Sequence, residues 1–183
     1  LLVDDSLVAE KHGVTRRYHA FAKDPRNPVL VADRPWEGKV IYVYGSALPG
    51  EDGRGYRLWY HAWQGGEYRN LYATSPDGVR WEKPVLGLVE FQGSKDNNLL
   101  FRRTREDHLP VVLWTPDDPD PARRYKLINY DYGRTKPANL FSGFWGATSA
   151  DGIHWRDLPS NPVLADPGDV GNFVWDVRAR QYL

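Results

Sequence analysis

Short runs of alternating apolar and polar residues, separated by polar turns, extend along most of the chain. The clearest covers residues 40–47, where Ile41 and Val43 alternate with Tyr42 and Tyr44. This period of two is typical of a strand with one buried face. We therefore expect an all-β protein built from short strands, with a helix content near zero.

The predicted strands fall into two successive sets of four, followed by a further strand. The first set covers 40–47, 56–63, 71–74 and 79–81, and the second covers 111–114, 125–130, 144–148 and 153–155. Polar turns lie between strands at 51–55 and 116–122. A strand at 173–176 and a turn at 178–180 follow. Residues 1–26 are predicted to form an N-terminal arm, with a strand near 14–19.

A nine-residue segment occurs twice. Residues 73–81 read ATSPDGVRW, and residues 147–155 read ATSADGIHW, 74 positions later. Asp-Gly between two strand-like runs predicts a tight turn, because Gly accepts the positive φ that such a turn requires. We predict that Asp77 and Asp151 cap backbone N–H groups in these turns, and that Trp81 and Trp155 pack between sheets.

A second marker helps to divide the chain into units. Asn27-Pro28-Val29-Leu30 recurs at 161–164, and Asn97-Asn98-Leu99-Leu100 lies between them. The units are then about 27–96, 97–160 and 161–183. Four antiparallel strands per unit predict a β-propeller fragment, with two four-stranded blades and the start of a third. A β-sandwich with a chance duplication is the alternative.

Composition excludes several classes of protein. The formal net charge is zero, from 24 basic and 24 acidic residues, and no basic run indicates nucleic-acid binding. No apolar stretch reaches the 18 or so residues of a membrane-spanning helix. The chain has no cysteine, so it has neither disulfides nor thiolate zinc sites. No spacing of His, Asp or Glu predicts a transition-metal site, and the prediction is no cofactor. A central calcium ion is compatible with a propeller, but no residue pattern indicates one.

The chain contains no Met and ends in a predicted strand. We therefore expect a piece of a longer protein. Removal of a signal peptide, and hence a secreted or periplasmic location, is compatible with this sequence. The sequence leaves both the compartment and the oligomeric state open.

Several motifs together resemble a group of bacterial proteins. They are Pro35-Trp36-Glu37, Tyr44-Gly45-Ser46, the YRLWY segment at 56–60, the two Asp-Gly turns, GSKDNN at 93–98, RYKL at 124–127, and the Asn-Pro-Val-Leu marker. The group is similar to the five-bladed propellers of glycoside hydrolase families 32 and 43, which act on fructosides, arabinosides and xylosides. The resemblance implies a fold of five blades and three acidic residues around a central funnel. The Trp-Met-Asn-Asp-Pro-Asn, Arg-Asp-Pro and Glu-Cys motifs of family 32 are missing.

Candidate acids follow from their distance to the Asn markers. Glu37 lies ten residues after Asn27, Asp107 lies ten after Asn97, and Asp169 lies eight after Asn161; Asp33 is a further acid in the first unit. Glycoside hydrolysis needs one carboxyl group that protonates the leaving oxygen and a second that activates water or attacks the sugar. We predict Asp33 or Glu37 as base or nucleophile, and Asp169 as a further acid of the site.

Four other residues are candidates for substrate contact. Trp36 is predicted to stack on a sugar face, as aromatic rings near strand ends often do. Asp96 is predicted to orient a sugar hydroxyl, and Asn97 and Asp107 are further candidates. For Trp36 the competing interpretation is burial in the core, and for Asn97 it is a hydrogen bond to the backbone.

Three functions compete at this stage. The first is a hydrolase acting on a carbohydrate, and the second is a propeller that binds sugar or protein without chemistry, since fold alone does not decide function. The third, a sialidase-like propeller, ranks lower, because the Ser-x-Asp-Gly-x-x-Trp spacing is one residue short of the Asp-box and no arginine triad is evident.

Overall fold

The computed structural model describes residues 4–101, 106–132, 142–165, 168 and 171–183. In these ranges the chain is all-β, with two 3-10 helices of three residues each, Pro35–Glu37 and Pro121–Arg123, and no α-helix. The prediction of an all-β fold is confirmed. Within the same ranges, no helix is both long enough and apolar enough to cross a membrane.

The first sheet has four antiparallel strands in sequence order. They are β1 (Val40–Pro49), β2 (Tyr56–Gln64), β3 (Glu67–Ser75) and β4 (Leu99–Phe101). The turn between β2 and β3 consists of Gly65 and Gly66, which both have positive φ, of 61° and 83°. Two glycines satisfy the geometry of a two-residue hairpin, since residues with a side chain are strained at such φ values.

The second sheet repeats this order. Its strands are β5 (Asp107–Trp114), β6 (Tyr125–Asp131), β7 (Gly143–Ser149) and β8 (Arg156–Asp157); β9 (Leu164–Ala165) also pairs with β7. A separate hairpin of β10 (Trp175–Asp176) and β11 (Gln181–Tyr182) follows.

The two sheets pack against each other along β1 and β5, the first strand of each. The backbone N–H of Val112 on β5 donates to Ser46 Oγ on β1, at 2.8 Å. The apolar core between the sheets is shared, with Trp59 and Tyr72 from the first and Tyr125 and Leu127 from the second. Two successive sheets with adjacent first strands give the chain a partial propeller-like fold.

The Asp-Gly segments occupy equivalent places, at the end of the third strand of each sheet. In each turn the aspartate Oδ1 accepts the N–H groups two and three residues later, at 2.8–2.9 Å. The serine two residues before the aspartate accepts the glycine N–H, at 2.8 Å from Ser75 and 2.9 Å from Ser149. The predicted capping role of Asp77 and Asp151 is confirmed. Trp155 packs against the core between the sheets, as predicted.

Three strand predictions are wrong. Residues 79–81 form no strand, and the chain returns only through an isolated bridge between Thr74 and Glu82. In the second sheet the returning strand is Arg156–Asp157 rather than 153–155. In both places the aspartate caps hold the residues after the glycine in a bend. The arm at 4–26 has no strand near 14–19.

The Asn markers close a sheet rather than open one. The strand after Asn97-Asn98 is β4, which pairs with β3 of the first sheet, and the strand after Asn161-Pro162 is β9, which pairs with β7 of the second. The Asn27-Pro28 and Asn161-Pro162 peptide bonds are both cis. The predicted unit boundary at residue 97 therefore falls just before the last strand of the first sheet.

Candidate functional site

Lys83 brings two of the predicted acids together. Its Nζ donates to Asp33 Oδ1 at 2.6 Å, to Glu37 Oε2 at 2.7 Å and to the carbonyl of Val31 at 2.7 Å. The side chain of Lys83 is 4% exposed and that of Glu37 is fully buried, whereas that of Asp33 is 52% exposed. Three acceptors use all three ammonium N–H donors. The hydrogen bond from Lys83 lowers the pKa of Asp33, which keeps this carboxyl ionised.

Glu37 is bound on both carboxylate oxygens. The hydroxyl of Tyr60 donates to Oε1 at 2.7 Å, and the backbone N–H groups of Asp33 and Arg34 donate to Oε2, each at 3.0 Å. Burial and the negative charge of Glu37 raise the pKa of Tyr60, so its hydroxyl stays protonated and remains a donor. This geometry favours a structural role for Glu37, and its predicted catalytic role stays a prediction.

The same network continues through Asn98 and Trp36. Asn98 Nδ2 donates to Tyr60 Oη at 2.9 Å and to the carbonyl of Tyr72 at 2.7 Å, and Trp36 Nε1 donates to Asn98 Oδ1 at 2.7 Å. The Trp36 ring packs edge-on against Phe91, with centroids 6.3 Å apart, and contacts the core of the first sheet. These contacts fasten the 3-10 helix at Pro35–Glu37 to the sheet and favour the core interpretation of Trp36.

The remaining predicted residues have diverse surroundings. Asn97 is buried; its amide donates to the carbonyl of Val89 at 2.8 Å, and its Oδ1 accepts the N–H of Leu99 at 3.0 Å, which is the backbone role predicted as the alternative. Asp96 is exposed in the turn before β4. Asp169 lies outside the described residues.

Asp107 lies at the start of β5, in a second polar group. It is 1% exposed, and its Oδ1 accepts a hydrogen bond from Asn70 Nδ2 at 3.3 Å and a short one from Asn129 Nδ2. The backbone carbonyl of Asp107 also accepts from Asn70, at 3.0 Å. Asp131 on β6 is directly opposite Asp107 in the strand register and is also buried. Neighbouring strands thus place two carboxyl groups on one face.

Aromatic rings surround this group. His108 is stacked between Tyr68, at 4.2 Å, and Tyr132, at 5.1 Å between centroids. His61 lies 5.7 Å from His108, against Tyr42 at 5.2 Å and Tyr44 at 5.8 Å. Tyr44 is 60% exposed, so the rings connect the buried residues with the surface. We call His61, Asn70, Asp107, His108, Asn129 and Asp131, with the four tyrosines, the His–Asp cluster.

The two histidines differ in their polar contacts. His108 Nδ1 lies 2.8 Å from the carbonyl of Glu106, so the N–H is on this nitrogen. His61 is 2% exposed. Burial, and secondarily the proximity of His108, lowers the pKa of His61 to about 3. His61 is therefore a neutral imidazole at neutral pH.

The first sheet separates the two acidic groups. Successive residues of a strand project to opposite faces, so Tyr60, which binds Glu37, and His61, which belongs to the His–Asp cluster, lie on opposite sides of β2. The core on the Tyr60 side also contains Leu58 and Ala62, whereas Trp59 faces the second sheet. Asp33 and Glu37 therefore do not converge with Asp107.

Sequence reasoning missed most of the His–Asp cluster. It interpreted His61 as structural and began β3 at residue 71, although the strand begins at Glu67 and includes Tyr68 and Asn70. The Gly65-Gly66 pair was the available signal, since a two-residue glycine turn predicts that the strand resumes at once. Asp131 and Asn129 had no such signal. The described residues contain no group of three or more His, Asp or Glu suited to a metal ion.

Comparisons with known proteins support the fold. No family model matches the chain, and no curated protein matches its sequence. The fructofuranosidase of Schwanniomyces occidentalis, solved with fructose, superposes with a TM-score of 0.52 at 13% identity, over 75% of this chain and 28% of its own. The BT0996 complex with RGII matches with a TM-score of 0.31 at 13% identity, over 80% of this chain and 63% of its own, and carries no argument.

The chain thus spans less than two thirds of either neighbour. The likeness to the fructofuranosidase shows a glycoside hydrolase-like propeller fold, as the resemblance to families 32 and 43 implied. At 13% identity it shows the fold alone.

Proposed function

We propose that this chain belongs to a carbohydrate-active propeller that acts on glycosidic bonds, with the His–Asp cluster facing the sugar. The observation that carries the proposal is Asp107, a buried carboxylate oriented by the amides of Asn70 and Asn129. Its described donors are neutral, whereas Glu37 is bound by the ammonium of Lys83. A carboxylate among neutral donors keeps more of its charge for a reacting sugar than one paired with an ammonium.

Asp131 supplies the second carboxyl group of the proposed site. It is directly opposite Asp107 in an antiparallel pair, where Cβ atoms lie about 5 Å apart. Hydrolysis of a glycoside needs two carboxyl groups on either side of the bond, about 5–5.5 Å apart for retention and about 6.5–9.5 Å for inversion. Asp107 and Asp131 are the pair we assign to these roles, and Asp169 remains a predicted third acid.

The test is turnover by the protein on a panel of aryl glycosides and fructosides. We expect Asp107→Asn to lower kcat by about 100-fold or more, the usual contribution of a positioned acid or base. Asp117→Asn, at an exposed loop residue, is the matched control. Both variants must keep the unfolding midpoint of the parent. Normal turnover by Asp107→Asn would exclude the assignment.

Sugar binding without chemistry is the second candidate. The observation that favours it is the run of aromatic rings from buried His61 to exposed Tyr44, because such rings stack on the apolar faces of sugars. Absence of turnover on the whole panel, together with saturable sugar binding by calorimetry, would replace the hydrolase with this function.

A further inference from the structure

Two buried polar atoms of the His–Asp cluster have no hydrogen-bond partner among the residues that the structure describes. They are Nδ1 of His61 and Oδ1 of Asn70. The residues are 2% and 1% exposed, respectively. A buried polar atom left without a partner costs about 1–3 kcal/mol, and native proteins normally satisfy such atoms with protein, water or ligand.

The two atoms belong to one place in the sheet. His61 on β2 and Asn70 on β3 are directly opposite each other in the register, so their side chains project from the same face about 5 Å apart at Cβ. This face is the one that packs against β5, since Asn70 Nδ2 donates to Asp107. With its amide nitrogen used in this way, Asn70 presents its oxygen as an acceptor.

The chemistry of the pair fits a hydroxyl group. A hydroxyl donates one hydrogen bond and accepts up to two. Asn70 Oδ1 can only accept, whereas His61, neutral because burial lowers its pKa to about 3, can carry the N–H on Nδ1. One hydroxyl can therefore donate to Asn70 and accept from His61. An ammonium would find one acceptor only, and a carboxylate would face the oxygen of Asn70.

We propose that His61 and Asn70 bind one hydroxyl group of a polyhydroxylated ligand, next to Asp107. This inference rests on the proposed function, since it names the contact by which the His–Asp cluster recognises a saccharide. The rings of Tyr42 and Tyr44, 5.2 and 5.8 Å from that of His61, form the adjacent wall of the site.

The experiment measures sugar binding rather than turnover. Fructose, arabinose and xylose are titrated into protein labelled with ¹⁵N in its histidine rings, and the affinity is measured by calorimetry. We expect the His61 ring nitrogen to shift on binding, and His61→Phe, which keeps the ring packing, to weaken binding at least tenfold, the loss of about one hydrogen bond. His12→Phe, on the exposed arm, is the control. The signal of His61 is identified by its absence in His61→Phe or, should that variant not fold, in His61→Gln.

The outcomes separate the two proposals. If a sugar binds but the His61 nitrogen does not move and His61→Phe binds equally well, the hydroxyl site is overturned while the proposed function stands. A His61 nitrogen that is hydrogen-bonded before sugar is added and unchanged afterwards indicates an internal water, and also overturns the site. If none of the sugars binds to the parent protein, both proposals are overturned.

Discussion

Trp59 of the first sheet donates its indole N–H to the backbone carbonyl of Gly152, at 2.8 Å, in the turn that follows β7 of the second sheet. Gly152 has φ of +76°, and a Cβ atom there would lie 2.8 Å from Cζ2 of Trp59. Gly78, the equivalent residue of the first sheet, has φ of +77°, but its Cβ would lie 3.4 Å from the nearest atom, on Tyr56. The two glycines share a backbone strain and differ in contact.

This difference predicts unequal effects of the same substitution. Gly78→Ala should lower the free energy of unfolding by about 1 kcal/mol, because of its positive φ. Gly152→Ala should lose about 1–3 kcal/mol more, because the methyl group displaces Trp59 from a packed interface. Urea denaturation of both variants measures the difference. Equal losses would show that the sheets tolerate a methyl group at their contact.

Lys83 is predicted to stabilise the fold by neutralising Glu37. Lys83→Met should cost about 3–5 kcal/mol, because it leaves a buried carboxylate without its partner. Most of this loss should be absent when Glu37→Gln is added, since the amide carries no charge. Lys95→Met, at an exposed lysine, is the control. A double variant no more stable than Lys83→Met would mean that the ammonium acts mainly on Asp33 and Val31.

Stability should fall below neutral pH because of His61. Burial lowers its pKa in the folded state from 6.5 to about 3, so between these values the unfolded chain binds a proton that the folded chain does not. This contribution is complete above pH 6.5 and is lost as the pH falls towards 3; between pH 7.5 and 5 it amounts to about 2 kcal/mol. The free energy of unfolding at the two pH values measures it.

His61→Phe removes the titrating group, and its free energy of unfolding should change less between pH 7.5 and 5 than that of the parent by this amount. His12→Gln, on the arm, should keep the full pH dependence. A parent and a His61→Phe variant with the same dependence would contradict the assignment to His61.

Arg57 is predicted to connect the outer ends of the two sheets. Its guanidinium donates to the carbonyl of Pro49, to Glu51 and to the hydroxyl of Tyr125, and lies 5.0 Å from the Tyr125 ring centroid. Arg57→Lys keeps the charge but not the planar set of donors, and should cost about 1–3 kcal/mol. Thermal unfolding compares it with Arg54→Lys, at an exposed turn residue. Equal midpoints would indicate that the charge alone matters.

Local features of the structure were predictable from the sequence, and long-range ones were not. Alternation located β2 to within one residue, and the repeated Asp-Gly turns predicted the caps of Asp77 and Asp151, because these interactions span two or three residues. Which strands share a sheet depends on distant pairing, so the Asn97 marker was assigned to the wrong sheet. The environment of Glu37 depends on Lys83 and Tyr60, which no spacing rule connects with it. The face on which Asp107 lies depends on the register of three strands.

The closing strands have a consequence for how the protein is made. β3 ends at Ser75, but its partner β4 is completed only at Phe101, and β9 stands in the same relation to β7. During synthesis, therefore, each sheet keeps one backbone edge exposed while the ribosome adds the residues of the intervening segment. Translation pauses within 76–98 would prolong that exposure, and an unpaired edge is where strands of nascent chains associate with one another.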